Sequence, residues 1–380
     1  MLTRKDKKKK IGILTFHYAH NYGAVLQAFA LKEYLKMLGC EVSIINYQNT
    51  NIKKAYPVKL SPLFFVSKSE IGKLRFAKKV MFDIISGLRA QKSWKKQWNA
   101  FEGFVQENLN SEEIVTEEEF ERFIESYDII IIGSDQVWDR RLVGYEEKIY
   151  FGNFKKRKNQ LLITYAASRF ENFDDNENID FIKNFDGISV REKSLEDFIN
   201  NKFNRKISMT ACDPTFLIKS DDYRKLLGNE KANNSIFVYY VYESKVLGEI
   251  VEKVKEVNMG KKVEALHYYF YPYLQEACEF ADLGPKDFIS KIYNSYMVLT
   301  NSFHGVAFSI IFKKQFYCIY DNKKNQRISD LLSELKIENH YINTFNEIDF
   351  EDKINYDNVS HRLERYVSKS KRFLDKYVNG

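Results

Sequence analysis

Apolar runs that end in polar stretches recur along the chain, with helical apolar spacing between them. Residues 11–16 form the first run and residues 42–47 the second. Between them, apolar residues recur three or four positions apart, as on one face of a helix, and Gly39 is expected to end that helix. These apolar residues are Ala24, Ala28, Leu31, Leu35 and Leu38. Strand, helix and strand in this order predict parallel strands.

The same alternation continues through two series of elements, which a polar stretch at residues 227–234 separates. The pattern therefore predicts an α/β protein with two domains in tandem. We assign residues 1–218 to the first domain, with the amphipathic segment 356–380 packing back on it, and residues 219–355 to the second. Further strands are expected at residues 128–132, 161–166, 187–190 and 207–211, and then at 236–242, 262–266, 296–299 and 316–320. Further helices are expected at residues 245–257, 286–294, 306–312 and 328–335.

Polar stretches follow four of the predicted strands. They occupy residues 17–23, 133–135, 191–194 and 300–305. Ligands of open parallel sheets bind beyond the carboxyl ends of the strands, so we expect these stretches to converge on one cleft between the domains. Asn21, Gly23 and Ser134 are predicted on this basis to contact the substrate.

Residues 300–305 are the strongest candidate site. They join a predicted strand to a predicted helix, and the first N–H groups of a helix favour an anion. Asn301 or Ser302 can cap that helix, and Gly305 is expected to let the backbone approach a ligand. His304 is the residue of this stretch that can exchange a proton near neutral pH. The stretch therefore predicts a site for a small anion beside a titratable group.

Three charged residues outside this stretch complete the candidate set. Arg191 directly follows a strand and offers a planar fork for a carboxylate or phosphate, although an ion pair with a nearby acid is an equal alternative. Arg327, just before a helix, is a second candidate for the same anion, with a solvated helix start as its alternative. Asp135 is a candidate general base, with capping of the next helix as its alternative.

Other kinds of site lack their sequence signals. His17 and His20 have no evident third metal ligand, so we predict no metal site. There is no glycine-rich dinucleotide fingerprint after the first strand and no Walker-type loop, so we predict no cofactor. The net charge of +7 is modest for 380 residues and does not indicate nucleic acid.

The cysteines and the first residues indicate where the protein works. Cys40, Cys212, Cys278 and Cys318 are far apart and lie in or beside apolar segments, which favours a reduced, cytoplasmic protein. The basic residues 1–10 lack the apolar segment of a signal peptide.

Residues 51–98 are strongly basic, with apolar positions at roughly helical spacing. A surface helix with one face on the core is the plainer interpretation. The alternative is an arm that contacts an anionic membrane or a lipid-linked acceptor, which would place the protein at the inner face of the membrane.

Several short blocks together resemble the polysaccharide pyruvyl transferase family, and they extend over most of the chain. Their order and spacing make the resemblance specific, although each block is short. The blocks are IGILTFH at residues 11–17, NYGAVLQ at 21–27, IGSDQVW at 132–138, ISVREKS at 188–194, SFHG at 302–305 and RISDLL at 327–332.

The resemblance implies a GT-B-like fold of two Rossmann-like domains facing a cleft. It implies phosphoenolpyruvate as donor, a glycan or lipid-linked saccharide as acceptor, and a pyruvate ketal as product. Arg191 and His304 match positions that the family uses to hold phosphoenolpyruvate. Some members carry a basic residue where this chain has Ser302, and Arg327 is a candidate to compensate. Two alternatives stay open, a glycosyltransferase that uses a sugar nucleotide and a glycan-binding or assembly protein without catalysis.

Overall fold

A computed structural model shows two parallel sheets with helices around them. The structure describes residues 8–55, 92–109, 113–170, 179–228, 234–242, 244–257, 260–267, 278–280, 282–320 and 325–379. The expectations for residues 51–98 fall largely on 56–91 and therefore lie outside the described residues. In the described part of the chain, no helix combines the length and the apolar character needed to cross a bilayer.

The N-terminal sheet has four parallel strands in the order β2-β1-β3-β4. A further parallel pair, β5 and β6, continues this order because bridges join Ile163 to Gly187 and Ala167 to Val190. The first strand is central, so the chain leaves it in two directions and creates a crevice between the ends of β1 and β3. The strands are β1 (Lys10–Leu14), β2 (Glu41–Ile44), β3 (Ile129–Ile132), β4 (Leu161–Thr164), β5 (Ile188–Val190) and β6 (Ser208–Thr210).

The helices of this half follow the predicted apolar spacing. Gly39 has φ +86° just beyond the first helix, the left-handed conformation expected of a glycine there. Thr116 and Glu119 form a capping box. The helices are α1 (Tyr22–Met37), α2 (Thr50–Ala55), α3 (residues 92–104, continued by a π-helical turn at Val105–Leu109), α4 (Glu117–Ile124), α5 (Arg140–Val143) and α6 (Lys193–Lys202).

The C-terminal sheet has six parallel strands in the order β12-β11-β10-β7-β8-β9. Counted within this half, the order is 3-2-1-4-5-6, that of a dinucleotide-binding fold. Its crevice lies between the ends of β7 and β10. The strands are β7 (Ile236–Tyr240), β8 (Val263–His267), β9 (Cys278–Phe280), β10 (Met297–Thr300), β11 (Gln315–Ile319) and β12 (Tyr341–Ile342).

The last helix of the chain contacts both halves. Near its start, the Tyr356 hydroxyl donates to Ser309 O at 3.3 Å. Near its end, the Ser370 hydroxyl accepts from Cys212 N at 2.8 Å, and the Tyr377 hydroxyl donates to Asp186 O at 3.0 Å. The helices are α7 (Ser220–Arg224), α8 (Lys245–Glu256), α9 (Pro285–Asn294), α10 (Phe303–Ile311), α11 (Gln326–Leu335) and α12 (Tyr356–Val378).

One apolar core runs between the halves. Tyr22, the first residue of α1, stacks on Phe288 of α9 with ring centres 4.7 Å apart. Its hydroxyl donates to Leu283 O at 2.8 Å. The contact fixes the start of α1 against the C-terminal half, which positions the site described next.

Candidate functional site

A cavity of about 680 Å³ lies where the two crevices face each other. Both halves contribute to its wall, since the loops after β1 and β3 meet the loops after β7 and β10 there. Its wall includes Asn21, Asp135, Tyr145, Phe170, Tyr242, Asn301, Ser302, Phe303, His304, Asn325 and Arg327. The expected convergence of polar stretches is therefore observed for three of the four, and residues 191–194 do not border the cavity.

Helix α10 begins in the cavity wall, three residues earlier than the sequence predicts. Ser302 is the residue that caps it, accepting from Gly305 N at 3.4 Å. Asn301 does not cap the helix. Its side chain accepts from Val241 N and donates to Tyr242 O, both at 2.9 Å, and so ties the loop after β7 to the start of α10.

Gly305 has a different role from the expected close approach to a ligand. A Cβ atom at this position would lie 2.3 Å from Thr300 Oγ1. That hydroxyl donates to Tyr239 O at 2.6 Å and accepts from Ser302 N at 3.0 Å. Gly305 therefore lets the helix pack against the strand end, and it is absent from the cavity wall.

His304 is almost fully buried, with 8% exposure, yet it borders the cavity. Its ring lies against Gly23 of α1, where an added Cβ atom would be 1.9 Å from Nδ1. Glycine is required at position 23 by this contact, so the two halves jointly position the histidine. On the other side, His304 Nε2 lies 3.5 Å from Asp213 Oδ2, too far for a good hydrogen bond.

Asp213 and Arg191 form a buried ion pair beneath His304. Arg191 Nη2 lies 2.8 Å from Asp213 Oδ2 and donates to Ser134 Oγ at 2.5 Å. Arg191 Nε and Nη1 are also buried, but they have no hydrogen-bond partner within the described chain. The ion pair that the sequence analysis gave as an alternative for Arg191 is thus present. Two buried N–H groups of the guanidinium still lack hydrogen-bond acceptors among the described residues.

The charges of this group affect one another. Burial would raise the pKa of Asp213, but Arg191 and His304 outweigh burial and hold that pKa well below its ordinary value. Burial would lower the pKa of Arg191, but Asp213, Asp135 and Glu192 raise it. The group therefore keeps a carboxylate and a guanidinium charged in a buried place.

Arg327 and Glu192 extend the group. Arg327 lies in the first turn of α11, which Asn325 caps, and its guanidinium is 5.9 Å from the Phe303 ring centre. Burial, and next the charge of Arg191, lower the pKa of Arg327. Burial raises the pKa of Glu192, whose Oε1 accepts from the Ser168 hydroxyl. Arg327 is the guanidinium of this group that borders the cavity.

Asp135 borders the cavity as well, in a left-handed conformation with φ +79°. Its Oδ1 accepts from Gln136 N at 2.8 Å. The next helix, α5, is capped by Asp139 and not by Asp135, so the capping alternative is wrong. A carboxylate held at the cavity surface is available to a ligand.

The remaining predicted residues have structural contacts. Asn21 caps α1, accepting from Gly23 N at 2.9 Å, and its side chain borders the cavity. Ser134 is fully buried and donates to Ala166 O at 2.8 Å, so it holds Arg191 from behind the wall. The two loop histidines diverge, because His17 contacts Asn46 and His20 contacts Glu102.

Sequence reasoning missed Asp213, the partner of both Arg191 and His304. A signal was present, because Asp213 follows β6 as Arg191 follows β5, and parallel strands end at one edge of a sheet. The ligand roles assigned to these residues stay predictions.

The fold agrees with that of known two-domain enzymes. A crystal structure of a UDP-N-acetylglucosamine 2-epimerase matches 97% of this chain and 95% of its own length, with 12% identity and a TM-score of 0.51. The Neisseria meningitidis UDP-GlcNAc 2-epimerase bound to UDP-GlcNAc matches 98% of this chain and 100% of its own, with 8% identity and a TM-score of 0.48. The chain thus has the predicted GT-B-like fold of two Rossmann-like domains.

Sequence comparison identifies the family to which the chain belongs. The model of the polysaccharide pyruvyl transferase family matches residues 21–323, and the chain belongs to that family. The resemblance drawn from the short blocks is confirmed. No curated protein matches the chain significantly.

Proposed function

We propose that this protein transfers the pyruvyl group of phosphoenolpyruvate to two hydroxyls of a sugar and releases phosphate. The observation that carries the proposal is the buried Arg191, whose Nε and Nη1 lack partners beside the cavity wall of a pyruvyl transferase family member. A buried guanidinium with unfilled donors is costly unless a ligand completes it. Phosphoenolpyruvate brings a carboxylate and a phosphate, both good acceptors for such donors.

The donor would bind at the inner end of the cavity. Arg327 and the first N–H groups of α10 would contact the anionic donor there, and the buried Arg191 would add positive charge from behind the cavity wall. Three carboxylates accompany these groups, namely Asp135, Asp213 and Glu192. Together these carboxylates carry one negative charge more than the two arginines offset, so a trianionic donor is expected to bind best with a proton on His304 or Glu192.

The chemistry balances without a redox partner. A proton adds to the methylene carbon and makes it a methyl group. One sugar hydroxyl oxygen then bonds to the central carbon and loses its proton. The carbon–oxygen bond to phosphate breaks, and the second hydroxyl oxygen takes that position and loses its proton. Of the two protons lost from the sugar, one replaces the proton given to the methyl group and the other leaves with phosphate.

His304 and Asp135 are the candidates for moving these protons. In the proposed mechanism, His304 protonates the donor, and the anionic Asp213 stabilises the imidazolium form from 3.5 Å. Asp135 accepts a proton from a sugar hydroxyl, since it stands at the cavity surface. No metal or cofactor takes part in this proposal.

The test is phosphate release from phosphoenolpyruvate with a panel of lipid-linked and nucleotide-linked sugars, followed by mass spectrometry of the acceptor. The expected product carries one pyruvyl group attached through two oxygens. A His304→Gln variant and a His361→Gln control, changed at an exposed histidine of α12, separate catalysis from general damage. Transfer of a sugar from a UDP-sugar, without phosphate release from phosphoenolpyruvate, would instead support a glycosyltransferase.

The proposal also covers where in the cell the protein acts. We propose work in the cytoplasm, with the basic residues 51–98 contacting an anionic membrane that presents a lipid-linked acceptor. Binding of the protein to anionic vesicles, and its loss at high salt, tests this contact.

A further inference from the structure

Exposed apolar side chains gather around the cavity. The described part of the chain has eight large apolar residues that are exposed. Five of them border the cavity, with 39% to 75% of their surface exposed. Such gathering marks binding surfaces, because apolar side chains on ordinary surface are scattered. The five are Leu142, Tyr145, Phe170, Val241 and Tyr242, and the other three are Met37, Ile114 and Val257.

Three of these residues are aromatic, and we call Tyr145, Phe170 and Tyr242 the aromatic rim. Tyr145 and Phe170 follow α5 and β4 in the N-terminal half, whereas Tyr242 follows β7 in the C-terminal half. The rim therefore brings rings from both halves to one cavity. The inner end of that cavity holds His304 and Arg327.

Neighbouring polar groups hold the rim in place. The Arg141 guanidinium lies 5.1 Å from the centre of the Phe170 ring and is itself fixed by Asp139 through bonds of 2.7 and 3.0 Å. Arg140 donates to Tyr145 O at 2.9 Å, and Asn301 donates to Tyr242 O at 2.9 Å. The Phe170 ring thus has a cationic neighbour, and the backbone that carries Tyr145 and Tyr242 is fixed, which reduces the freedom that the rim loses when a ligand stacks on it.

A second cavity of about 470 Å³ adjoins the first. The two share Asn51, Gly144 and Tyr145, so the groove continues past Tyr145. Ile114, a sixth exposed apolar residue, borders this second cavity. Its other wall residues include the amide of Gln48, the hydroxyls of Thr50 and Thr116, and the carboxylates of Glu117, Glu118 and Glu146.

We propose that the aromatic rim and the second cavity bind the acceptor as a saccharide of two or more units, with one sugar on the rim and the next beyond Tyr145. A pyranose ring has an apolar C–H face that suits aromatic rings and hydroxyls at its edge that suit amides and carboxylates. The glutamates of the second cavity disfavour a phosphate-bearing ligand there. This inference rests on the proposed function for the identity of the reaction.

The test uses the full chain on an array of immobilised di- to tetrasaccharides built from glucose, galactose, mannose, N-acetylglucosamine and N-acetylmannosamine. Tyr145→Ala, Phe170→Ala and Tyr242→Ala are each expected to weaken saccharide binding about tenfold. Phe170→Tyr and Tyr242→Phe keep the ring and should keep the binding. Met37→Ala and Val257→Ala are matched controls, because these exposed apolar residues lie away from both cavities.

Phosphoenolpyruvate affinity, measured by calorimetry on the same variants, separates this inference from the proposed function. If saccharide binding is lost in the rim variants while no variant binds phosphoenolpyruvate, the inference stands and the proposed donor is wrong. Saccharide binding that is unchanged in the rim variants overturns the inference. A wild-type protein that binds no saccharide, with or without phosphoenolpyruvate, also overturns the inference. The same holds if the rim variants lose only the binding of UDP and keep the binding of saccharide.

Discussion

The inner and outer ends of the cavity differ in the burial and the charge of the residues that form them. At the inner end, Arg191, Asp213 and Glu192 are buried, ionisable and electrostatically dependent on one another. At the outer end, Tyr145 and Phe170 are 75% and 51% exposed and are held by polar neighbours. Groups of the first kind serve fold and function together, so their substitution mixes the two effects. Groups of the second kind contribute little to stability and so allow binding to be measured separately.

The largest effect is expected at the inner end, from His304→Gln. The variant keeps roughly the size of the side chain and a hydrogen-bonding group but loses the transferable proton. Loss of a positioned acid or base lowers kcat by about a hundredfold to ten-thousandfold. Steady-state phosphate release measures this effect, with His361→Gln as the control. Near-native kcat with an unchanged pH profile would make Asp135 the next candidate.

Arg191→Ala is expected to damage the fold as well as donor binding. Removing one partner of a buried ion pair leaves the Asp213 carboxylate buried without its guanidinium partner, which costs roughly 3–5 kcal/mol. A separate role in binding is tested with Arg191→Lys, which keeps the charge but not the planar fork. Urea unfolding measures the stability, and Arg205→Ala, at an exposed arginine, is the control. Stability of Arg191→Ala equal to that of the control would mean that the pair does not support the fold.

Gly23→Ala tests whether both halves must position the histidine. The added Cβ atom would overlap the His304 ring, so the ring or helix α1 must move. A displacement near 1 Å at a reacting group costs about a hundredfold in rate. Phosphate release and thermal unfolding should be compared with Gly103→Ala, where a Cβ atom meets nothing within 4 Å. Activity equal to that of this control would show that His304 tolerates the shift.

Glu192→Gln should show a smaller effect that depends on pH. Because burial raises the pKa of Glu192 in the folded state, the folded protein holds this proton more tightly than the unfolded chain does. Its ionisation therefore lowers the free energy of unfolding as the pH rises from about 4.5 through the raised pKa. The free energy of unfolding of Glu192→Gln minus that of the wild type should therefore be larger at about pH 8 than at about pH 4. A difference that is the same at both pH values, or Glu364→Gln behaving identically, would contradict this expectation.

The smallest effect on stability is expected at the outer end. Phe170→Ala should change the free energy of unfolding by no more than about 0.5 kcal/mol, as at most surface positions. Chemical unfolding measures the change. A loss of several kcal/mol would show that the outer end supports the fold, and the contrast between the two ends would disappear.

Periodicity predicted the α/β architecture and most elements, because long amphipathic helices and buried strands leave strong patterns. The amphipathic segment assigned to residues 356–380 forms α12 (Tyr356–Val378). Strands β9 and β12 escaped prediction because neither forms an apolar run: β9 reads Cys-Glu-Phe, and β12 has only two residues.

The site was only partly predictable. His304, Asp135 and Arg327 were found because they follow strands or precede a helix. The close contact of Gly23 with His304 joins residues 281 positions apart, and no local signal encodes it. The pairing of Arg191 with Asp213 likewise depends on how neighbouring strand ends align.

Helix α12 has a mechanical consequence. At 23 residues it is about 35 Å long, and it is anchored to the C-terminal half near Tyr356 and to the N-terminal half near Ser370 and Tyr377. The helix therefore fixes the distance between these two anchor points. A movement of one half that changes this distance must break a hydrogen bond at one anchor or bend the helix. The last helix thus adds to the apolar core in limiting how far the cleft can open.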